Sequence, residues 1–208
     1  MYFYDFDTLM DTFLFYLELG ISHVLDPSAY DHVLFLAALA IPFSLSHRLR
    51  VVWLATAFTL THCTALALSV YQIVEVNTTW IEFLIPLSIL GMLGFNMAQA
   101  KKETPQGNWT LHLGATLLFG LIHGFGFSNY FKMLMGAEKS QAGPLVAFAA
   151  GLEVAQITVI AAVLLLGWSL SQAFKLSKST YIWGGSLLVG LLTLPLQWNT
   201  LLALLGLE

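Results

Sequence analysis

Charge and sulfur are what this sequence has least of. Only 8 lysines and arginines and 12 acids are spread over 208 residues, so charged residues make up 10% of the chain against 58% for hydrophobic ones. An ordinary soluble domain carries about 25% charged residues, and this balance excludes one. The basic residues are scattered, which removes a nucleic-acid surface from consideration. A single cysteine, Cys63, set in an apolar run, excludes both a disulfide framework and a CxxC zinc site. The start, Met1-Tyr-Phe-Tyr-Asp-Phe-Asp, lacks the basic residues and the small-residue cleavage site of a signal peptide. The first hydrophobic segments are therefore expected to stay in the mature protein and to direct insertion themselves.

What the sequence has in abundance is long apolar runs. A crossing helix takes about 20 mostly apolar residues, so a chain of this length holds roughly six with short loops and no separate soluble domain. Hydropathy places six spans, at about 28–45, 51–74, 80–100, 109–131, 142–168 and 180–206. Each must be helical, because hydrocarbon offers no partner to an unbonded backbone group. The fold class expected is all-α: one polytopic membrane helix bundle over residues 1–208, with residues 1–27 as an N-terminal helix and outer polar turn. Within that first part, Thr8 to Leu25 is apolar but carries Asp11, Glu18 and His23. It suits an interfacial helix best, with a re-entrant piece or a seventh crossing as the other roles. Pro27 breaks any helix running on from it. Pro195, Gln197, Trp198 and Asn199 are expected to kink or shorten the last span.

Orientation follows from the basic residues. Arg48 and Arg50, Lys101 and Lys102, and Lys175 and Lys178 fall in alternate loops, with Lys132 and Lys139 on the other side. The three basic loops are expected to face the cytoplasm, with both termini outside a bacterial cytoplasmic membrane.

Ionisable side chains within spans cost about 2.5–3.5 kcal/mol each on insertion scales, and they usually face a cavity or a partner. His62, His123 and Glu153 fall at comparable depth on three spans, with Gln156 one turn beyond Glu153 on the same face. Imidazole nitrogen with carboxylate oxygen suits nickel, cobalt, zinc, iron(II) or copper, whereas calcium and magnesium ask for more oxygen. A second group is expected at the outer mouth: His23, Asp26, Asp31 and His32 around the Pro27 break, with Glu82 near the outer end of the third span. Asn96 returns to nearly the face of Glu82 about 21 Å farther in and marks a possible exit. Gly120, Gly124 and Gly126 beside His123 let a helix kink or a neighbouring backbone approach closely. His47 and His112 are expected at the interface, without a role.

At these residues the sequence resembles the HupE/UreJ family of membrane proteins. Its first signature is similar to His23-Val-Leu-Asp-Pro-Ser-Ala-Tyr-Asp31-His32, and its second, Phe-Thr-x-x-His-Ser, to Phe58-Thr59-Leu-Thr-His62-Cys63, with cysteine where serine is usual. Three further blocks resemble Glu82-Phe-Leu-Ile-Pro-Leu-Ser88, Leu121-Ile-His123-Gly124-Phe-Gly126-Phe-Ser128 and Phe148-Ala-Ala-Gly151-Leu-Glu153-Val-Ala-Gln156. Phe95-Asn96 keeps only the second half of the family's Glu-Asn pair. The resemblance implies a nickel or cobalt permease, associated in some members with metal supply to hydrogenase or urease.

The expected function is therefore uptake of a divalent transition-metal ion. It would be gathered outside by His23, Asp26, Asp31 and His32, passed to His62, His123 and Glu153, and released near Asn96. Bound imidazole must be neutral, so binding is expected to weaken as pH falls below about 6.5. Two rival classes stand beside this one. A membrane hydrolase would use a histidine-held zinc or Ser128 with a histidine, although no His-x-x-x-His pair occurs. A metal-sensing or assembly factor would bind the ion without moving it. The partners expected are the lipid bilayer and the metal ion, with no nucleic acid and no catalytic role.

Overall fold

The computed structural model describes residues 6–100, 109–136, 138 and 140–207. The regular structure in them is helical: α1 Phe6–Leu25, α2 Asp31–Ala40, a 3-10 turn Leu45–His47, α3 Arg48–Val70, α4 Thr78–Gln99, α5 Trp109–Met135, α6 Ala142–Phe174 and α7 Lys178–Leu205. Five of these, α3 to α7, are long and apolar enough to cross a membrane. Large apolar side chains such as Leu187, Leu188, Leu191 and Leu192 on α7 point away from the bundle, as lipid-facing residues do. Exposed Trp53, Trp80, Trp109 and Trp168 stand within two turns of helix ends, where indole prefers the membrane interface. The Lys101–Lys102 loop, Lys139, Asp5 and Glu208, on which part of the orientation rests, lie outside the described residues.

The first expected span, 28–45, differs from what forms. Its helix is α2, only 10 residues long. At about 1.5 Å per residue it covers about 15 Å, half of a hydrocarbon layer of about 30 Å. Two prolines set its limits. Pro27 follows the end of α1, where Asp26 closes a turn by accepting from the Ser28 N–H at 2.8 Å and the Ser28 hydroxyl at 2.6 Å. Pro42 has no N–H to give the carbonyl of Ala38, so the helix stops at Ala40. The carbonyl thus released is taken by Asn96 on α4, whose Nδ2 donates to it at 2.6 Å. Helix α2 is apolar because it is wrapped by other helices, with His32, Phe35, Leu36 and Leu39 buried. A helix this short and this buried is a core element.

Helix α1 docks against α6, with Tyr16 and Val24 buried between them and their neighbours. Its outer surface mixes exposed Leu9, Phe13 and Leu14 with exposed Asp11 and Glu18. Helix α7 runs unbroken to Leu205 through Pro195, so the expected early end does not occur.

The two most extensive helix contacts, α1 with α6 and α3 with α5, are both made by glycines. A Cβ on Gly20 would stand 2.3 Å from the Phe148 carbonyl oxygen, and one on Gly151 would stand 2.1 Å from that of Leu17. On α5, a Cβ on Gly124 would lie 2.3 Å from the His62 carbonyl oxygen, and one on Gly120 2.7 Å from that of Phe58. Lipid tails are as apolar as leucine, so helices in a bilayer associate through such backbone approach rather than through hydrophobic burial. Gly91 on α4 is the internal comparison, since a Cβ there meets nothing within 4 Å.

Gly151→Ala and Gly124→Ala are therefore expected to destabilise the bundle by about 1–3 kcal/mol each. Gly91→Ala is expected to be neutral or stabilising by up to about 1 kcal/mol through helix propensity. Thermal unfolding of the three variants in one detergent, followed by circular dichroism, checks the contrast.

Candidate metal centre

The turn between α1 and α2 sets two histidines facing each other. His23 stands on the last turn of α1 and His32 on the first turn of α2, with ring centroids 4.5 Å apart. Close approach of α3 and α5 at Gly124 brings in His62 and His123. His62 lies 5.6 Å from His23 and 5.8 Å from His32 between centroids, and His123 lies 5.0 Å from His32. One ligand atom from each of His23, His32 and His62 falls within 4.8 Å of the others, a spacing from which three nitrogens can close on one ion. Phe35, Phe58 and Phe148 wall the group, and His32, His62 and His123 are buried.

The protonation pattern of two of these rings follows from their partners. His123 Nδ1 is 2.9 Å from the Phe119 carbonyl oxygen, which only accepts, so Nδ1 carries the hydrogen and donates it. His32 Nδ1 is 3.2 Å from the Asp31 carboxylate, which likewise accepts. Each ring is left with a lone pair on Nε2. Among the described residues those Nε2 atoms have no hydrogen-bond partner, nor has His23 Nε2 or either nitrogen of His62. Buried polar atoms are rarely left so, and those of His23, His32 and His62 around one point, with that of His123 beside His32, indicate a group that would satisfy them. A carboxylate behind a histidine whose other nitrogen is free is the usual arrangement at protein metal sites, where the acid orients the ring and raises its basicity. Asp31 thus supports a ligand at second remove, and in this geometry its Oδ1 is engaged with His32.

The histidines of the expected outer and central groups consequently share one centre. His23 and His32 join His62 and His123 because α2 is short and starts inside the bundle, where a full span starting near residue 28 would have left them at the mouth. The remaining expected residues lie around this centre. Asp26 is exposed and engaged with Ser28, whose hydroxyl and then backbone N–H hold its carboxyl below the usual carboxylate range. Glu82 is exposed and shares a cavity of about 200 Å³ with Asp31, Pro86 and Thr200.

Glu153 and Gln156 form a polar chain next to the imidazoles. The Glu153 carboxylate accepts from the hydroxyls of Thr56 and, at 2.7 Å, Thr59, while Gln156 Nε2 donates to Thr59 Oγ1 at 3.0 Å. Thr59 and Thr56 precede His62 by one and two turns of α3, so the chain runs from the cluster toward the Arg48 end. The two threonines were not singled out from the sequence, although Thr59 lies within the Phe58-Thr59 block. Asn96 is buried and its Nδ2 donates to the Ala38 carbonyl, tying α4 to α2. His112 is not interfacial: it is buried, 5.2 Å from the Phe43 ring and 5.1 Å from that of Phe95. Ser128 is buried and donates to the Phe125 carbonyl at 2.7 Å.

Residues 3–200 match the family model described as HupE / UreJ protein. The chain belongs to the HupE/UreJ family. No curated protein and no solved structure matches it. Four of the five sequence blocks that resemble HupE/UreJ signatures meet in the core, while Glu82 of the third is exposed. The first supplies His23, Asp31 and His32, the second Thr59 and His62, the fourth His123 and Gly124, and the fifth Gly151, Glu153 and Gln156. For this HupE/UreJ protein the family match and the histidine cluster together support a metal-binding membrane protein.

His62→Ala is expected to abolish tight metal binding, and Asp31→Asn to weaken it by about 10–100-fold with stoichiometry unchanged. Titration of the purified protein with cobalt(II), read by visible absorption and calorimetry, separates the two effects.

Proposed function

We propose that this protein is a permease that moves a divalent transition-metal ion, nickel or cobalt, across the bilayer through the imidazole cluster. The observation that carries the reading is the convergence of His23, His32 and His62 from three helices at one point in the core, with His123 of a fourth beside His32 and their Nε2 atoms without partners among the described residues. Neutral nitrogen donors hold a borderline divalent ion well and compete poorly for calcium or magnesium. A site that only stored metal would need no onward path. Here Thr59, Gln156 and Glu153 continue from the cluster toward the end of α3 that carries Arg48 and Arg50, which the positive-inside rule assigns to the cytoplasm. The direction favoured is uptake, with oxygen donors relieving the imidazoles of the ion as it moves inward.

Reconstitution into liposomes loaded with a metal-sensitive dye is the decisive measurement. Nickel or cobalt influx that disappears in His62→Ala and His123→Ala supports the permease. Cleavage of lipid or peptide without influx would instead identify a membrane hydrolase, and stoichiometric binding without influx an assembly or sensing factor. A pH dependence of fixed sign is also expected. A protonated imidazole cannot ligate, so lowering the pH adds a proton that competes with the ion; burial and then the neighbouring imidazoles hold His23 below the ordinary histidine range, so affinity falls only once the pH drops well below about 6.5. Calorimetric titrations at stepwise lower pH check it.

A further inference from the structure

Three of the four clustered histidines are sealed in the bundle, and an ion must reach them. His32, His62 and His123 are at most 4% exposed. His23 is different. It is half-buried, and it lines a cavity of about 610 Å³ between the end of α1 and α5, together with Ser22, Asp26, Phe127 and Tyr130. One side of its ring thus borders the cavity, with the Phe127 ring 3.9 Å away, and the other faces His32 and His62. A water takes up about 30 Å³ of liquid, so an ion with about six waters needs on the order of 200 Å³. The cavity holds such an ion with its shell intact. Asp26 supplies a carboxylate at its edge, fixed by Ser28.

We infer that this cavity is the entrance by which a hydrated divalent cation reaches the cluster, and that His23 is the entrance ligand through which the ion passes from the cavity to His32 and His62. The inference rests on the metal-site reading above and adds the route to it. The step is ligand exchange with no change of charge. A ring nitrogen of His23 replaces one water of the ion, the nitrogens of His32 and His62 replace others, with the buried His23 Nε2 on the inner side, and the displaced waters return to the cavity. The rings of Phe127 and Phe148 beside His23 offer no donor of their own, so beyond Asp26 the next ligands inward are the imidazole nitrogens. A second cavity, between Asp31, Glu82 and Thr200, is lined by no imidazole and reaches the cluster through Asp31, whose Oδ1 is engaged with His32.

The test uses a single thiol at each cavity in full-length protein in detergent. In a Cys63→Ser background, Ser22→Cys and Thr200→Cys are each treated with a bulky methanethiosulfonate, and the rate of cobalt(II) loading is followed by stopped-flow absorption. Modified Ser22→Cys is expected to load about tenfold more slowly or worse, with the final stoichiometry kept, as when a passage is gated. Modified Thr200→Cys is expected to load at its unmodified rate. Prior saturation with cobalt(II) should also slow the reaction of the Ser22→Cys thiol. Unchanged loading after modification at Ser22→Cys, or a block at Thr200→Cys instead, overturns the entrance while leaving the metal site standing. Failure of both unmodified variants to bind cobalt(II), when the Cys63→Ser parent also fails, overturns the metal site and the entrance with it.

Discussion

A bilayer interior contains no water to satisfy a polar atom, and the architecture of this protein is arranged around that constraint. Backbone groups meet it by folding into helices, and the few that cannot are answered individually. The Ala38 carbonyl, orphaned by Pro42, receives the amide of Asn96. Hydroxyls such as those of Ser88, Thr61 and Ser128 turn back onto carbonyls of their own helices. The Glu153 carboxylate is held by two threonines across the α3–α6 contact. Against that background, the imidazole nitrogens left without partners among the described residues stand out. They concentrate unmet polar capacity in the core where four helices approach one another.

How they come to converge is a matter of small residues. Glycine on α5 lets its backbone rest on that of α3 beside His62, and glycines on α1 and α6 do the same for each other beside His23. The chain uses these two crossings to fix the distance between imidazoles on different helices, while Asp31 and the Phe119 carbonyl fix which nitrogen of His32 and of His123 remains available. Distance and protonation are thus set by separate devices. A substitution at a glycine and one at Asp31 would fail in distinguishable ways, the first in folding and the second in affinity.

Much of this could be read from residue types and spacing. The long helices α3 to α7 follow from hydropathy because each is a long, predominantly apolar run, and His62, His123 and the Glu153-Gln156 pair stood out as polar groups at similar depth. The depth of His23 and His32 was not legible in the same way. A hydropathy window extends 28–45 into a full span and so leaves its first residues at the surface, whereas Pro42 halves the helix and draws its start inward. Pro42 lay in plain sight, but a single proline in an apolar run does not reveal whether a distant asparagine will rescue the carbonyl it frees. His112 went the other way, since nothing in its neighbours announces that Phe43 and Phe95 will enclose it. Tertiary partners decide both cases, and periodicity carries no record of them.

The pairing of early helices with late ones bears on how the molecule is made. Helix α1 finds its seat against Phe148 and Gly151, more than 120 residues further along the chain, and α2 relies on Asn96. Neither surface exists when the N-terminal segment leaves the ribosome. The first forty residues must therefore wait, partly inserted and unpaired, until α6 has been threaded into the membrane. The histidine cluster needs α5 for His123 and α6 for the seat of α1, so a chain truncated before α6 carries the imidazoles without the helix that holds His23 in place.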